Sequence, residues 1–482
     1  MAEDSLKKKA INGTAWSAID NCSQYIVSFT VGIVLARLLS PDDYGLVGLT
    51  YIFTNISSVI INGGFQNALI RKKKTSNADY NTVFIINFVV SLFLYLILFW
   101  GAKYIANYFG RQELTMLVRI SSLNIILGAL AIVPRAKLIK NIDFKTQTKI
   151  TLVSTFFSGI IGILLAFAGY GVWALVAQNL LMLIFTDFFF WKVNKWIPRI
   201  QFNLQSFKEL FGYSWKLLAS SILDSIWKEM YQVVVGKYYS PATLGQYTRA
   251  KHYAQLFSSN LTNIIQRVSF PILSEIQDDK ERMKMAYRKI IKETMFVTFL
   301  LMFFLGSISE PLIHFMIGEK WHEASIYLPY ICFLMALYPL HAINLNMLQV
   351  QGRSDLFLIL EILKKIIAII PIVIGIKVGI LPMLVSSIIV GIISYFLNSI
   401  YSGKMIGYST WMQLKDISSS FGVASCIAFS VYFIKYIPIP EFFILMLQVL
   451  IGTLLTILFS KIFRLKEYDD IVGIIKSIKK KK

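Results

Sequence analysis

From Phe84 to Trp100 the chain runs without a charged residue, and stretches of this kind recur along its whole length. A helix needs about 20 mostly apolar residues to cross the hydrocarbon of a bilayer, and about fourteen segments approach that length. They centre near Ile26, Phe53, Leu94, Ile126, Ile160, Leu183, Leu223, Phe257, Leu300, Phe333, Ile369, Ile389, Phe429 and Leu450; the second, fourth and eighth carry many polar residues. Composition points the same way. Of 482 residues 56% are hydrophobic and 16% charged, and the mean hydropathy of +0.61 is far above what one soluble core requires. A membrane barrel would alternate apolar and polar residues over about ten positions, and Phe84 to Trp100 does not. The expected fold is an all-α polytopic membrane protein, whose inner Gly and Pro are tolerated because neighbouring helices satisfy the backbone.

Lys and Arg set the predicted orientation. Clusters at Lys7-Lys8-Lys9, Arg71 to Lys74, Arg135 to Lys149, Lys192 to Lys208, Arg267 to Lys292 and Lys461 to Lys482 fall in every second connection, whereas the loops around Asp42, Lys103, Tyr170, Tyr239, Glu319, Gly379 and Pro438 hold few cations. The positive-inside rule then places both termini in the cytoplasm and requires an even number of spans. It also accounts for much of the net charge of +21, so a nucleic-acid partner is not expected. The apolar stretch after Lys9 is too long for a cleaved signal and is read as a retained first span. Cys22, Cys332 and Cys426 all fall inside predicted spans and are expected to be small buried apolar residues, with no disulfide framework.

A motif occurs twice. Gly13-Thr14-Ala15-Trp16 precedes an apolar stretch ending in Ser40-Pro41-Asp42-Asp43-Tyr44-Gly45, and Gly212-Tyr213-Ser214-Trp215 precedes another ending in Ser240-Pro241-Ala242-Thr243-Leu244-Gly245. Such a repeat implies two fused halves, an arrangement that in membrane proteins builds transporters. The expected division is an N-terminal six-helix bundle over 1–200, a C-terminal one over 201–405, a terminal helix pair over 406–466 and a basic amphipathic cytoplasmic tail over 467–482. The tail sets Ile471, Ile474, Ile475 and Ile478 against late lysines, as a helix lying on an anionic leaflet would. In both Ser-Pro-x-x-x-Gly copies, Ser is placed to cap a helix and Pro to occupy its first turn, so they read as connectors.

Enzyme signatures are missing. His322-Glu323 lacks the second His of a zinc-protease motif, and His252, His314 and His341 have no Cys or His nearby in sequence. There is no phosphate-binding Gly-Lys-Ser/Thr loop, and the acidic pairs Asp42-Asp43, Asp278-Asp279 and Asp469-Asp470 lie in loops or the tail. No cofactor, metal or catalytic residue is expected.

Polar residues recur at helical spacing inside certain spans: Ser17, Asn21, Gln24 and Ser28 in the first, and Thr50, Thr54, Ser58, Asn62 and Gln66 in the second. In the seventh, Ser221, Asp224 or Ser225, Lys228 and Gln232 line up; in the eighth, Arg249, His252, Gln255, Ser259, Thr262 or Asn263, and Gln266 do. Uncharged members could equally bridge helices, for about 0.6 kcal/mol each. A charge at the bilayer centre costs at least about 2.5 kcal/mol and persists only beside a partner or water. That test singles out Asp20, Asp224, Lys228, Glu229, Arg249, Lys251, His252, Glu361, Lys364 and Lys365. Asp224–Lys228 and Glu361–Lys365 have the spacing of intrahelical pairs, and Arg249 and Lys251 could reach the interface. The group leans cationic, which suits an anionic substrate such as a phosphate or diphosphate.

Along nearly its whole length the chain resembles the Wzx-type polysaccharide flippases, in the superfamily that also holds multidrug extruders and the flippase of the peptidoglycan precursor. The matching stretches are Gly13-Thr14-Ala15-Trp16, Leu35 to Gly45, Phe270-Pro271-Ile272-Leu273-Ser274 with Asp278-Asp279-Lys280, Gly318-Glu319-Lys320-Trp321, and Gln351-Gly352-Arg353-Ser354-Asp355. The resemblance implies two six-helix bundles, a terminal helix pair and a central cavity opening alternately to each side. It also implies a substrate, undecaprenyl-diphosphate-linked oligosaccharide units moved across the bacterial inner membrane for O-antigen, capsule or exopolysaccharide, with membrane lipids and other polysaccharide-assembly proteins as partners. On that footing Lys228, Arg249, Lys251 and His252 are expected to hold the diphosphate, Asn62 and Gln66 to bond sugar, and Asp20, Asp224 and Glu229 to couple an ion. An ion-coupled small-molecule exporter and a membrane polymerase or ligase are the alternatives. The first would favour an acidic or aromatic cavity, and the second a large outer loop, whereas no predicted outer loop exceeds roughly 25 residues by this span count.

Overall fold

The computed structural model describes residue 24 and residues 26–62, 64–72, 75–141 and 143–480. Lys7-Lys8-Lys9, Gly13 to Trp16, Ser17, Asp20, Asn21 and Cys22 lie outside them, and so does the side chain of Asn62. The described secondary structure is helical. The chain clusters into two compact units, 1–245 and 246–482.

The first unit contains α1 (Ile26–Leu38), α2 (Pro41–Asn62), α3 (Phe65–Arg71), α4 (Asn77–Phe109), α5 (Leu114–Ser121), α6 (Leu123–Lys140), α7 (Phe144–Phe167), α8 (Val172–Asn194), α9 (Leu204–Tyr238) and the first turn of α10 (Pro241–Glu275). The second holds the rest of α10, then α11 (Lys280–Ser307), α12 (Ser309–Ile317), α13 (His322–Ala336), α14 (Tyr338–Val350), α15 (Ser354–Ile367), α16 (Ile369–Lys377), α17 (Ile380–Ile406), α18 (Thr410–Tyr432), α19 (Glu441–Ile462) and α20 (Lys466–Lys480).

Ten helical stretches among the described residues are long and apolar enough to cross a membrane, and the protein is a multi-pass membrane protein. They include the expected second and fourth spans. The four expected segments outside this set have separate reasons. α1 is short as described. α9 and α10, 35 residues each, carry the charged stripes that lower their apolarity. α15 and α16 are two short helices meeting at Ala368, with Pro371 just beyond.

Several helices bury polar residues and expose apolar ones. On α4, Asn81, Asn87 and Ser91 are buried while Val89, Phe93, Ile97 and Trp100 are exposed. α7 buries Thr148, Thr151, Ser154, Thr155 and Ser158 and exposes Phe156, Phe157 and Leu164. α17 repeats the pattern, with Ser386, Ser394, Asn398, Ser399 and Ser402 inward and Ile389, Ile393 and Phe396 outward. With lipid outside, burying apolar surface no longer drives helix association; close packing of small residues and interhelical hydrogen bonds do. On α7, a Cβ on Gly159 would stand 2.6 Å from the Val31 side chain of α1, and one on Gly162 would stand 2.8 Å from Gln178 of α8.

Helix ends are capped as their residues dictate. Ser76 and Asp79 form a reciprocal capping box at α4, and Asp143, Asn203, Asp279 and Ser409 each accept a backbone N–H in the first turn of α7, α9, α11 and α18. In the second unit a buried network joins four helices. Tyr287 and Ser402 donate to Asn344 Oδ1, while Gln413 Oε1 accepts from Asn344 Nδ2 and Tyr395, both at 3.3 Å. Asp416 takes Arg288 on one side and the Tyr408 hydroxyl, at 2.7 Å, on the other.

One expectation needs correcting. Cys426 is exposed on α18, whereas Cys332 is buried; a thiol can face lipid as readily as a packed interior. The tail forms helix α20, and Tyr468 and Ile471, with Leu465 just before it, pack in a cluster with Phe296, Ile308, Ile427 and Val431. Glu467 Oε1 meets Lys292 Nζ at 2.6 Å and Asp470 meets Lys289 at 3.4 Å, pinning α20 to α11.

Candidate functional site

In the first unit the Ser-Pro-x-x-x-Gly copies do more than connect. Both start helices: α2 begins at Pro41 and α10 at Pro241. Ser40 and Asp43 bond each other reciprocally, and Ser240 Oγ accepts from Thr243 N at 3.1 Å. The two first turns then cross at their glycines. A Cβ on Gly45 would stand 1.7 Å from the Pro241 carbonyl oxygen, and a Cβ on Gly245 would stand 1.9 Å from that of Pro41. All four residues belong to the first unit.

The polar stripe expected on the second span is interrupted. α2 ends at Asn62, and Gln66 sits half-buried on the separate helix α3, so it does not continue that face. Thr50 and Thr54 are buried, and their hydroxyls bond to Val47 and Thr50 carbonyls of their own helix. Beyond them Asn55 Nδ2 donates to Glu229 Oε1 of α9 at 3.2 Å, and Gln232 Nε2 donates to Glu229 Oε2 at 2.6 Å. Asp224 and Lys228 are exposed on the same helix.

A second cluster in this unit ties the segment before α4 to α9. Lys72 Nζ contacts Glu209 at 2.8 Å and Asp79 at 3.1 Å. The Glu209 hydrogen bond is the main influence raising the Lys72 pKa, assisted by Asp79 and opposed by burial.

The cations of α10 have different settings in the second unit. Arg249 is buried, its guanidinium 5.7 Å from the Trp321 ring centroid, while Lys251 is half-buried and His252 exposed. Gln246 secures the same region by donating to the Lys320 carbonyl at 2.7 Å and accepting from Ala324 N at 3.0 Å. Glu361 is bonded to Lys364.

Two features escaped the sequence reading. His314 Nε2 lies 3.3 Å from His322 Nδ1, and His314 Nδ1 lies 3.1 Å from Glu441 Oε1. The turn at Gly318, with φ of 96°, folds these histidines together across eight residues. His314 and Glu441 border a cavity of 180 Å³ lined also by Glu310, Pro311, Lys435 and Tyr436, with Lys435 Nζ 2.8 Å from Glu310 Oε2. The described residues contain no group of three or more His, Cys, Asp or Glu arranged to hold a metal. The other feature is Asp187 on α8, 6% exposed inside a helix of the membrane-crossing set. Its only signal in sequence is an acid within the apolar run Phe185 to Trp191.

A polytopic all-helical membrane protein of two compact units, with polar residues buried along its helices, has the form of a membrane transporter. Residues 34–326 match the family described as polysaccharide biosynthesis protein, and the chain belongs to that family. It is 26% identical over 317 residues to the succinoglycan biosynthesis transport protein ExoT of Rhizobium meliloti (strain 1021), a match covering 66% of this chain and 64% of that protein. It is 23% identical to the teichuronic acid biosynthesis protein TuaB of Bacillus subtilis (strain 168), covering 73% of each. With the lipopolysaccharide biosynthesis protein WzxC of Escherichia coli (strain K12) it shares 25% identity over 413 residues, 81% of each. Among solved structures, lipid II flippase MurJ in an inward closed conformation superposes with a TM-score of 0.72 at 19% identity, over 96% of this chain and all of that one. An inward-facing multidrug resistance MATE family transporter of the MOP superfamily gives 0.64 at 14% identity, over 80% and 96%. The chain has the fold of that superfamily.

Proposed function

We propose that the protein is a flippase that moves undecaprenyl-diphosphate-linked oligosaccharide units from the inner to the outer leaflet of the bacterial inner membrane by alternating access, for O-antigen, capsule or exopolysaccharide. The observation that carries this reading is the family match over 34–326 in a chain with a flippase fold. Its relatives are named for the biosynthesis of different polysaccharides, which suits a shared step acting on a lipid carrier. A diphosphate sugar cannot cross about 30 Å of hydrocarbon without losing its water; a polar path removes that cost. The cationic loops orient both termini to the cytoplasm, and fourteen spans, counting α1, α9, α10 and the α15–α16 pair, satisfy the even number this needs.

Within the first unit Lys228 is assigned to the substrate's anionic groups and Gln66 and Asn62 to its sugars. Within the second, Arg249, Lys251 and His252 take the anionic groups. Asp20, Asp224 and Glu229 are the acids of this reading that would bind a coupling ion. Other polysaccharide-assembly proteins would take the product at the outer face.

The test is reconstitution. Vesicles containing the purified protein and a fluorescent polyprenyl-diphosphate oligosaccharide in one leaflet should show the lipid reaching the other leaflet faster than protein-free vesicles, with Lys228→Glu and Lys251→Glu slowing it. Equal rates with and without protein overturn the proposal. Uptake of a cationic dye in place of the lipid would assign the protein to multidrug export.

A further inference from the structure

Asp187 stands where an ionised carboxylate is poorly supported. Neither of its carboxylate oxygens has a hydrogen-bond partner among the described residues, and the side chain is 6% exposed. Polar groups near it in the chain are bonded to backbone: Thr186 Oγ1 donates to the Met182 carbonyl and Asn194 Nδ2 to the Phe190 carbonyl. Phe190 is fully buried with Ala131, Leu138 and Ile150. An ionised carboxylate can accept about four hydrogen bonds, and one buried without any is costly unless it is neutralised.

The charge acting on Asp187 is Arg135, on α6. α8 packs against α7, α6, α2 and α5. On α6, Lys137 lies over the Tyr80 and Trp196 rings and Lys140 bonds to Thr75. Lys145 and Lys149 of α7 are exposed, as is Lys192 of α8 itself. α5 brings Arg119, bonded to the Phe99 carbonyl; α2 brings Asp42, Asp43, Tyr44 and Tyr51, all in its first half.

We propose that Asp187 is a proton-binding site in the first unit, alternating between a carboxylate that attracts Arg135 and a neutral acid that releases it. A proton from water forms an O–H bond on one carboxylate oxygen and leaves no net charge; its departure restores the ion and draws α8 towards α6. A metal cation fits less well, because it needs several oxygen ligands and would sit in the field of a guanidinium. As a coupling device this rests on the transport reading; as a protonation site it does not.

The experiment therefore uses the full protein in lipid nanodiscs without substrate. Infrared difference spectra between about pH 5 and about pH 8 should contain the carbonyl band of a protonated acid. That band should vanish in Asp187→Asn, shift in Asp187→Glu, and be indifferent to sodium at fixed pH. Asp187→Asn should also melt at or above the wild-type temperature, since Asn resembles the neutral acid. A band that persists in Asp187→Asn, or follows sodium, overturns the proposal. So does a strongly lowered melting temperature for Asp187→Asn, which would make Asp187 the structural partner of Arg135. A protein that moves no lipid-linked sugar would leave these readouts unaltered.

Discussion

Asn55 of α2 and Glu229 of α9 are joined by a hydrogen bond of 3.2 Å across 174 residues of sequence, and Gln232 holds the second carboxylate oxygen. The acid sits where the two helices meet in the first unit and is half-buried. A double-mutant cycle with Asn55→Ala and Glu229→Ala, followed by thermal unfolding in detergent, should return a coupling of about 0.6 kcal/mol and no more than about 1.7. Additive losses would mean that the bond contributes nothing to α2–α9 association.

Gly45 and Gly245 each face a proline carbonyl that a methyl group would overlap. Backbone atoms cannot turn aside as a flexible side chain can, so Gly45→Ala and Gly245→Ala should each cost about 1–3 kcal/mol. Gly236→Ala is the control. Its Cβ would meet the Leu49 side chain at 2.2 Å, and a leucine can change rotamer. Melting temperatures of the three variants should place Gly236→Ala highest.

The Lys72 cluster predicts a pH dependence. Glu209 and Asp79 hold the Lys72 pKa above its ordinary value. A raised lysine pKa contributes stability that is fully present below the unfolded value, about 10.4, and is lost as pH rises through the folded one. Wild type should therefore be more stable than Lys72→Met by a constant margin at neutral pH. That margin should shrink as the solution is taken above the lysine range, and unfolding curves across that interval check it.

Glu467→Lys places a cation against Lys292, and Asp470→Lys places another against Lys289. The double variant should release α20 from α11. Limited trypsin digestion read by mass spectrometry should show faster cleavage at Lys476, with the remainder of the chain cut at the wild-type rate.

Helices with a long, largely apolar run were legible in the sequence, because that run is what lipid asks of their outward faces; α4, α8 and α19 are examples. α9 and α10 are harder, because the polar residues that lower their hydropathy are the ones α2 and Trp321 engage. Helical spacing carried the second-span stripe past Asn62 to Gln66, but periodicity does not register where one helix ends and the next begins, and Gln66 lies on α3. His314 and His322 gave no signal because residues eight apart on one helix stand about 12 Å apart along its axis, and here a left-handed glycine between two helices brings them together. Asp187 was overlooked for the opposite reason: a lone acid in an apolar run matches no motif, and its isolation is visible only once burial is known.

The crossing of Gly45 with Pro241 and of Gly245 with Pro41 also bears on how such a chain can diverge. Copies of a duplicated gene are ordinarily free to drift apart, each tested against its own surroundings. Here each copy of the motif is the surroundings of the other. A bulky replacement in one would have to be answered by a shift in its twin, so these two turns should keep their likeness long after the helices that follow them have diverged.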